Sequence, residues 1–326
     1  MKAIVQDRYG SADVLQFKDI AKPEPGADDV LVRVHAAGVD RGVWHLMTGL
    51  PYLMRVIGMG FRAPKAPVRG REVAGTVEAV GGNVTAFKAG DEVYGFCDGS
   101  FAEYVCAKAT QLAPKPTNVS FEQAAVVPVS AITALHAVRD AGGLKAGQTA
   151  MIIGASGGVG TFAVQIAKAI GAEVTGVCST GKADMVRSIG ADHVIDYTRE
   201  DCADGSRRYD LIVDMGGRRP LSQLRRALNA EGTLVVVGGE GGDRWLGGFL
   251  RGMLAPLRAI GSKQKLRGLM PGERKEDVVA LTGLIEAGTV VPVVDKAYPL
   301  REAADAVRYM EQGRARGKVV VRVLEA

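Results

Sequence analysis

The sequence predicts an α/β chain in which a β-rich domain is joined to a doubly wound parallel sheet with helices on both faces. Three observations carry this. The first third is a series of short runs rich in β-branched and aromatic residues, cut by Gly, Pro, Asn and Asp. From Gln148 onward, near-continuous apolar strands alternate with helical patterns, as strands buried on both faces require. Between the first such strand and its helix stands Gly154-Ala155-Ser156-Gly157-Gly158-Val159-Gly160, a glycine-rich turn. At 326 residues the chain is long enough for a core in each of two domains.

In chain order, "KAIVQ", "VLVRVHAAGV", "EVAGTVEAVG", "DEVYGF" and "FAEYVCA" read as strands, with "KPEPGADD" and "LAPKPTNVS" as turn-rich connectors. Near residue 120 the pattern changes to helices broken at Pro128, with Ser120 as N-cap and Glu122 and Gln123 in the first turn. "QTAMII" is a buried strand, the residues after the glycine turn form an amphipathic helix ended by Gly171, and "AEVTGVCS" is a second buried strand. "KADMVRSIGAD" is a helix leading to "HVIDY"; "YDLIVD", a helix through "LSQLRRALN" and the strand "GTLVVV" continue the alternation. After residue 240 the pattern loosens, then resumes with helices in "KEDVVALTGLIEAG" and "EAADAVRYMEQG", the segment "VPVVDKAYPL" and a last strand "GKVVVRV". That tail has too few strands to stand alone and is expected to rejoin the N-terminal domain.

The net charge of +5 is dispersed along the chain, which gives no nucleic-acid tract; a ligand carrying phosphates accounts for it equally well. The four cysteines form no C-x-x-C pair, which argues against a structural zinc lobe and a disulfide framework. No apolar leader opens the sequence and no long uncharged apolar run follows, so a cytoplasmic protein without an integral membrane segment is expected.

The glycine turn lies where a dinucleotide site needs it. Glycine at 154 and 157 lets backbone N–H groups, with those of Ser156, Gly158 and Val159, approach a pyrophosphate, and Gly160 permits close helix–strand packing. The second strand then selects the cofactor. It ends "GVCSTGK", with Ser179, Thr180 and Lys182 and no acid at its tip, which suits a 2′-phosphate and hence NADPH. Tyr197 and the basic run Arg314, Arg316 and Lys318 are expected to join that site. A solvated lysine at a helix start is the alternative for Lys182.

With these motifs in place, the sequence resembles the medium-chain dehydrogenase/reductase family, and within it the zinc-free quinone oxidoreductase branch. "AAGVD", "PVRGREVAGTVEAVGGNVTAFKAGDEVYGF", "AEYV", "AAVVPVSAITA", "GASGGVGTFAVQIAKAIGAEV", "IGAD" and "GRARGKVVV" fall in family order over nearly the whole chain. The resemblance implies a GroES-like catalytic domain over residues 1–124 and 266–326. It also implies a Rossmann NADPH-binding domain over 125–265, a cofactor in the cleft between them, and a homodimer. Thr133 and Val237-Gly238-Gly239 match family positions at the nicotinamide end.

Metal-using members carry Cys where this chain has Asp40 and Gly-His-Glu where it has Gly70-Arg71-Glu72. Asp40, His45 and Glu72 still compose a conceivable ligand set, but the fixed charge of Arg71 competes with an ion, so no metal is expected. Zinc-free relatives often carry Asn at position 40 and Asp three residues on; Asp40 and Val43 depart from both. Asp40, Tyr52 and Arg71 are the catalytic candidates. Asp40 offers a hydrogen-bond acceptor or, raised by burial, a proton; a loop-capping aspartate is the alternative. Arg71 either holds Glu72 or leans toward the cofactor. Asp40, Trp44 and Tyr52 are candidates to line the pocket of a flat or enone-like substrate, with a place in the core or an interface as the alternative for the aromatics.

The expectation is a zinc-independent, NADPH-dependent reductase transferring hydride to a quinone or α,β-unsaturated carbonyl, with no nucleic-acid partner. A zinc alcohol dehydrogenase and a non-catalytic NADPH-binding protein are the alternatives. Residues 240–270, apolar with interspersed cations, read as a cover over the substrate cleft or a dimer contact, or else as a membrane-surface helix.

Overall fold

The computed structural model describes residues 1–238, 244–269, 272 and 274–324. Contacts divide the chain into two compact units. One comprises Met1–Ser130, Glu273–Gly288 and Pro292–Ala326, the other Ala131–Gly272 and Thr289–Val291.

The first unit opens with β1 (Lys2–Val5) and β2 (Gln16–Asp19), an antiparallel pair. β3 (Asp29–Val39), β4 (Glu72–Val80), β5 (Glu92–Phe96), β6 (Tyr104–Lys108) and β7 (Leu112–Pro114) follow. Helix α1 (Arg41–Thr48) and the single turn α2 (Tyr52–Met54) lie between β3 and β4; α3 (Phe121–Ala125) and α4 (Pro128–Leu135) follow β7. α3 begins as its sequence indicates: Gln123 N–H donates to Ser120 Oγ at 3.2 Å and Ser120 N–H to Gln123 Oε1 at 3.1 Å, a reciprocal capping box.

The second unit holds β8 (Thr149–Ile153), β9 (Glu173–Cys178), β10 (His193–Asp196), β11 (Tyr209–Asp214), β12 (Leu228–Val236) and β13 (Lys265–Gly268). They are parallel and ordered β10-β9-β8-β11-β12-β13. Its helices are α5 (Gly158–Ile170), α6 (Ala183–Ser188), α7 (Leu221–Arg226) and α8 (Phe249–Leu254). Read from β8, the strand order is 3-2-1-4-5-6, and connections reverse direction between β8 and β11. A ligand is received outside the carboxyl ends at such a reversal.

The chain then returns to the first unit with α9 (Lys275–Glu286), β14 (Val294–Pro299), α10 (Ala303–Glu311) and β15 (Lys318–Arg322). β15 pairs with β14 on one side and with β3 on the other, so the sheet runs β14-β15-β3-β4-β5-β7, with β6 on the free half of β3. α9 is tied to this unit by Tyr94, whose OH donates to the Val278 carbonyl at 3.2 Å, and by Asn118, whose amide donates to the Ile285 carbonyl at 2.7 Å.

The unit boundaries differ from those read in the sequence. The first falls after Ser130 rather than 124, because Val129 N–H donates to Glu72 Oε1 at 2.8 Å and keeps the start of α4 with the first unit. The second falls after Gly272 rather than 265, because β13 completes the parallel sheet. Thr289–Val291 stays with the second unit, where the Gln165 amide bonds both the N–H and the carbonyl of Val291. α1 was not read as a helix, although Asp40 caps it and Gly49, at φ +63°, ends it.

Candidate active site

The glycine turn follows β8 directly. Gly154 has φ +86°, and its N–H and that of Ala155 both point to the Val177 carbonyl at 3.1 Å, fixing the turn to the end of β9. α5 starts at Gly158 with Gly157 as N-cap. A Cβ on Gly160 would lie 2.0 Å from the Gly154 carbonyl oxygen, so only glycine lets the helix sit this close to the turn. The first-turn N–H groups at Gly158, Val159 and Gly160 have no carbonyl one turn back to bond, and the helix dipole adds positive character there. These residues fit a pyrophosphate.

The end of β9 carries the residues read as the 2′-phosphate site. Ser179 leads into a short turn of 3₁₀-helix, Thr180–Lys182, and Tyr197 is 53% exposed just past β10. The structure adds an acid that the sequence reading missed. β10 lies beside β9, and Asp196, paired with Cys178, accepts a hydrogen bond from Thr180 Oγ1. Its carboxylate also accepts the Thr198 N–H at 3.0 Å and the Thr198 hydroxyl at 2.7 Å. The Thr180 bond holds the Asp196 carboxyl below the usual range. Arg199, exposed, reaches Asp196 at 3.6 Å and brings a further cation to the same edge. A strand tip free of acid in the sequence is thus not free of acid in space, because a neighbouring strand ends beside it.

At the reversal of strand direction, Asp214 ends β11 and is almost fully buried. Its carbonyl accepts the Val237 N–H at 3.0 Å and its Oδ1 accepts the Gly217 N–H at 3.1 Å, so one residue fixes the loops after β11 and β12. Arg251 neutralises it at 2.7 Å. Neither residue was singled out in the sequence; the signal was an aspartate closing an apolar strand before Gly216-Gly217. Thr133 is buried on α4, Val237 and Gly238 are half-buried, and Gly239 lies outside the described residues.

In the first unit, Asp40 is buried and caps α1: its Oδ1 accepts the Val43 N–H at 3.0 Å, while Oδ2 accepts no bond among the described residues. Gly42 explains the neighbourhood, because a Cβ there would lie 2.8 Å from Asp40 Oδ1 and 3.3 Å from Arg71 Nη1. Arg71 therefore passes close to Gly42 in the first turn of α1. The ion partner of Glu72 is a different residue. Lys318, expected at the 2′-phosphate, is buried on β15 with its ammonium 2.7 Å from Glu72 Oε2, so that assignment is corrected. β15 runs through the interior of the unit, and a lysine there is retained by a buried carboxylate. Arg314 is exposed on the loop before it. A Cβ on Gly38 would fall 2.1 Å from Glu72 Oε2, so the glycine of "AAGVD" makes room for this carboxylate. Burial pushes the Glu72 carboxyl up to about 7 against the pull of Lys318, and the Asp40 charge adds to the rise.

The aromatic candidates have partners of their own. Trp44 Nε1 donates to Glu311 at 3.0 Å. The Arg55 guanidinium lies 4.8 Å from the Tyr52 ring centre and 4.2 Å from that of Tyr9, and it donates to the Gly49 and Thr48 carbonyls. Both side chains are half-buried, and Trp44 packs against the core of the first unit. His45 Nδ1 is held by the Leu50 carbonyl at 2.6 Å, and burial lowers its pKa. Among the described residues, Asp40, His45 and Glu72 do not gather into a ligand cluster. With Glu72 on an ammonium and Asp40 capping a helix, these residues do not fit a catalytic zinc ion.

Comparison with known proteins agrees with this architecture. The alcohol dehydrogenase GroES-like domain matches residues 26–117 and the zinc-binding dehydrogenase family matches residues 189–321. The mouse (Mus musculus) mitochondrial NAD(P)H oxidoreductase RTN4IP1 is 34% identical over 99% of this chain and 89% of its own length. The 2-methylene-furan-3-one reductase of Solanum lycopersicum is 33% identical over 98% of this chain and 79% of its own. Among solved structures, Escherichia coli quinone oxidoreductase complexed with NADPH superposes with a TM-score of 0.82 at 25% identity, covering 99% of this chain and 100% of that one. The chain belongs to the medium-chain dehydrogenase/reductase superfamily, in its zinc-free quinone oxidoreductase-like branch, and is an oxidoreductase of the quinone and enone type.

Proposed function

We propose that this protein is an NADPH-dependent reductase of quinones or α,β-unsaturated carbonyls that works without zinc. The observation that carries the zinc-free part is Glu72, the carboxylate that persists where the family's metal-binding Cys and His are replaced by Asp40 and Arg71: it is buried and already matched by Lys318 at 2.7 Å. A divalent ion would have to displace that ammonium in the presence of Arg71.

NADPH is supported by Ser179, Thr180, Lys182 and Tyr197 at one strand edge, joined by Arg199. Asp196 stands against it as an ionised carboxylate, which the Arg199 guanidinium at 3.6 Å offsets in part. The bound dinucleotide supplies the hydride. The chain's own part is positioning: the start of α5 receives the pyrophosphate, and Asp214 sets the loops carrying Gly217 and Val237. Asp40 keeps a buried acceptor, Oδ2, for a donor on a bound molecule. A homodimer is part of the same reading and rests on the family alone.

A screen of NADPH oxidation over quinones, enones and aldehydes, with NADH in parallel, tests the proposal. Turnover with NADPH preferred is expected, and Lys182→Ala should lower kcat/KM for NADPH about tenfold while leaving NADH unchanged. Equal or better rates with NADH would overturn the cofactor assignment. Stoichiometric zinc required for activity would overturn the mechanism, and tight NADPH binding with no turnover would favour a non-catalytic binding protein.

A further inference from the structure

β9 and β10 end side by side, with Cys178 paired to Asp196, so the residues after both strands lead away from the same edge. Asp196 stands at the join, its side chain 15% exposed. The Thr180 hydroxyl holds its carboxyl below the usual carboxylate range, so at neutral pH it is ionised and only accepts. Thr180 Oγ1 donates to Asp196 Oδ2. Thr198 donates its N–H to Oδ1 at 3.0 Å and its hydroxyl to the same oxygen at 2.7 Å.

A threonine hydroxyl has a single proton to give. Both protons here go to Asp196, and the two hydroxyl oxygens, 3.2 Å apart, are left with lone pairs to offer. Lone pairs suit a donor, such as the ribose 2′-hydroxyl of NADH. A 2′-phosphate carries acceptor oxygens and negative charge, and it needs donors and cations instead. The cation of this edge is also affected, because Arg199 is drawn to Asp196 at 3.6 Å. An acid at the end of the second strand, here β9, holds the ribose hydroxyls directly. Asp196 lies one strand further on and reaches the same position through two threonines.

We infer that Asp196 limits the preference of this protein for NADPH: by taking the Thr180 and Thr198 protons and drawing Arg199, it leaves acceptors where a 2′-phosphate needs donors. This rests on the reading of the β9 edge as the 2′-phosphate site. The test compares Asp196→Asn and Asp196→Ala with the unaltered full-length protein. It reads kcat/KM for NADPH and NADH and, without turnover, the Kd of adenosine 2′-monophosphate and of adenosine 5′-monophosphate. Both variants should raise the NADPH-to-NADH ratio about tenfold and tighten the 2′-monophosphate by a similar factor, with the 5′-monophosphate unchanged. Suppose the ratio stays the same while Lys182→Ala still weakens the 2′-monophosphate: the role of Asp196 is then overturned and the cofactor reading stands. If neither Lys182→Ala nor the Asp196 variants move the 2′-monophosphate, this edge does not take the phosphate and both fall. Equal losses with both cofactors would make Asp196 a structural residue only, which also overturns the inference.

Discussion

Glu72 is fully buried, out of contact with bulk solvent. It has one ammonium and one backbone N–H, and its carboxyl rises to about 7, above the ordinary 4.5 of glutamate. A carboxyl that binds its proton more tightly when folded contributes most at low pH. This contribution is complete below about pH 4.5, is lost as pH rises toward 7, and amounts to about 3 kcal/mol over that window. Glu72→Gln should flatten that part of the stability profile, measured by denaturant unfolding at a series of pH values; an unchanged slope would show that Glu72 is ionised throughout. Lys318→Met removes the counter-charge and should cost about 3 kcal/mol, more at high pH than at low, whereas the double change with Glu72→Gln should recover most of that loss. The sequence identified Glu72 and its altered neighbours, but not Lys318 as its partner, because 246 residues separate the two.

At the scale of elements, the glycine turn is where pattern and geometry agree most closely. Its glycines were legible from spacing alone, and the 2.0 Å approach at Gly160 is the physical reason. Gly160→Ala must push α5 away from the turn, and overpacking of this kind costs 1–3 kcal/mol, so NADPH should bind at least about tenfold more weakly. Fluorescence titration of NADPH reads this directly; unchanged affinity would mean the turn does not bind the pyrophosphate. The segment around α1 was less legible. Its cap and terminating glycine were present in "VDRGVWHLMTG", but the preceding strand pattern and Gly42 obscured a helix of eight residues. The acid beside Thr180 was missed for a related reason: it belongs to the next strand, and only parallel pairing brings Asp196 level with Cys178.

At the scale of the whole molecule, the first unit depends on the end of the chain. β15 lies inside its sheet, between β14 and β3, and carries the ammonium that compensates Glu72. Deleting residues from 318 onward should therefore unfold that unit while the parallel sheet of the second persists. Hydrogen exchange would show lost protection in β3 and β4 with β8 and β11 retained; protection kept throughout would mean β15 is dispensable.

By itself the sequence determined the two-part α/β plan, the glycine turn and the departure from a metal triplet. Each is a local matter of period, spacing or residue identity. Tertiary structure alone decided that Lys318 compensates Glu72, that Asp196 stands beside the end of β9, and that α8 turns its apolar side outward. These depend on which distant residues share a low-dielectric interior or a sheet edge, and proximity of that kind leaves no periodic trace in a single sequence.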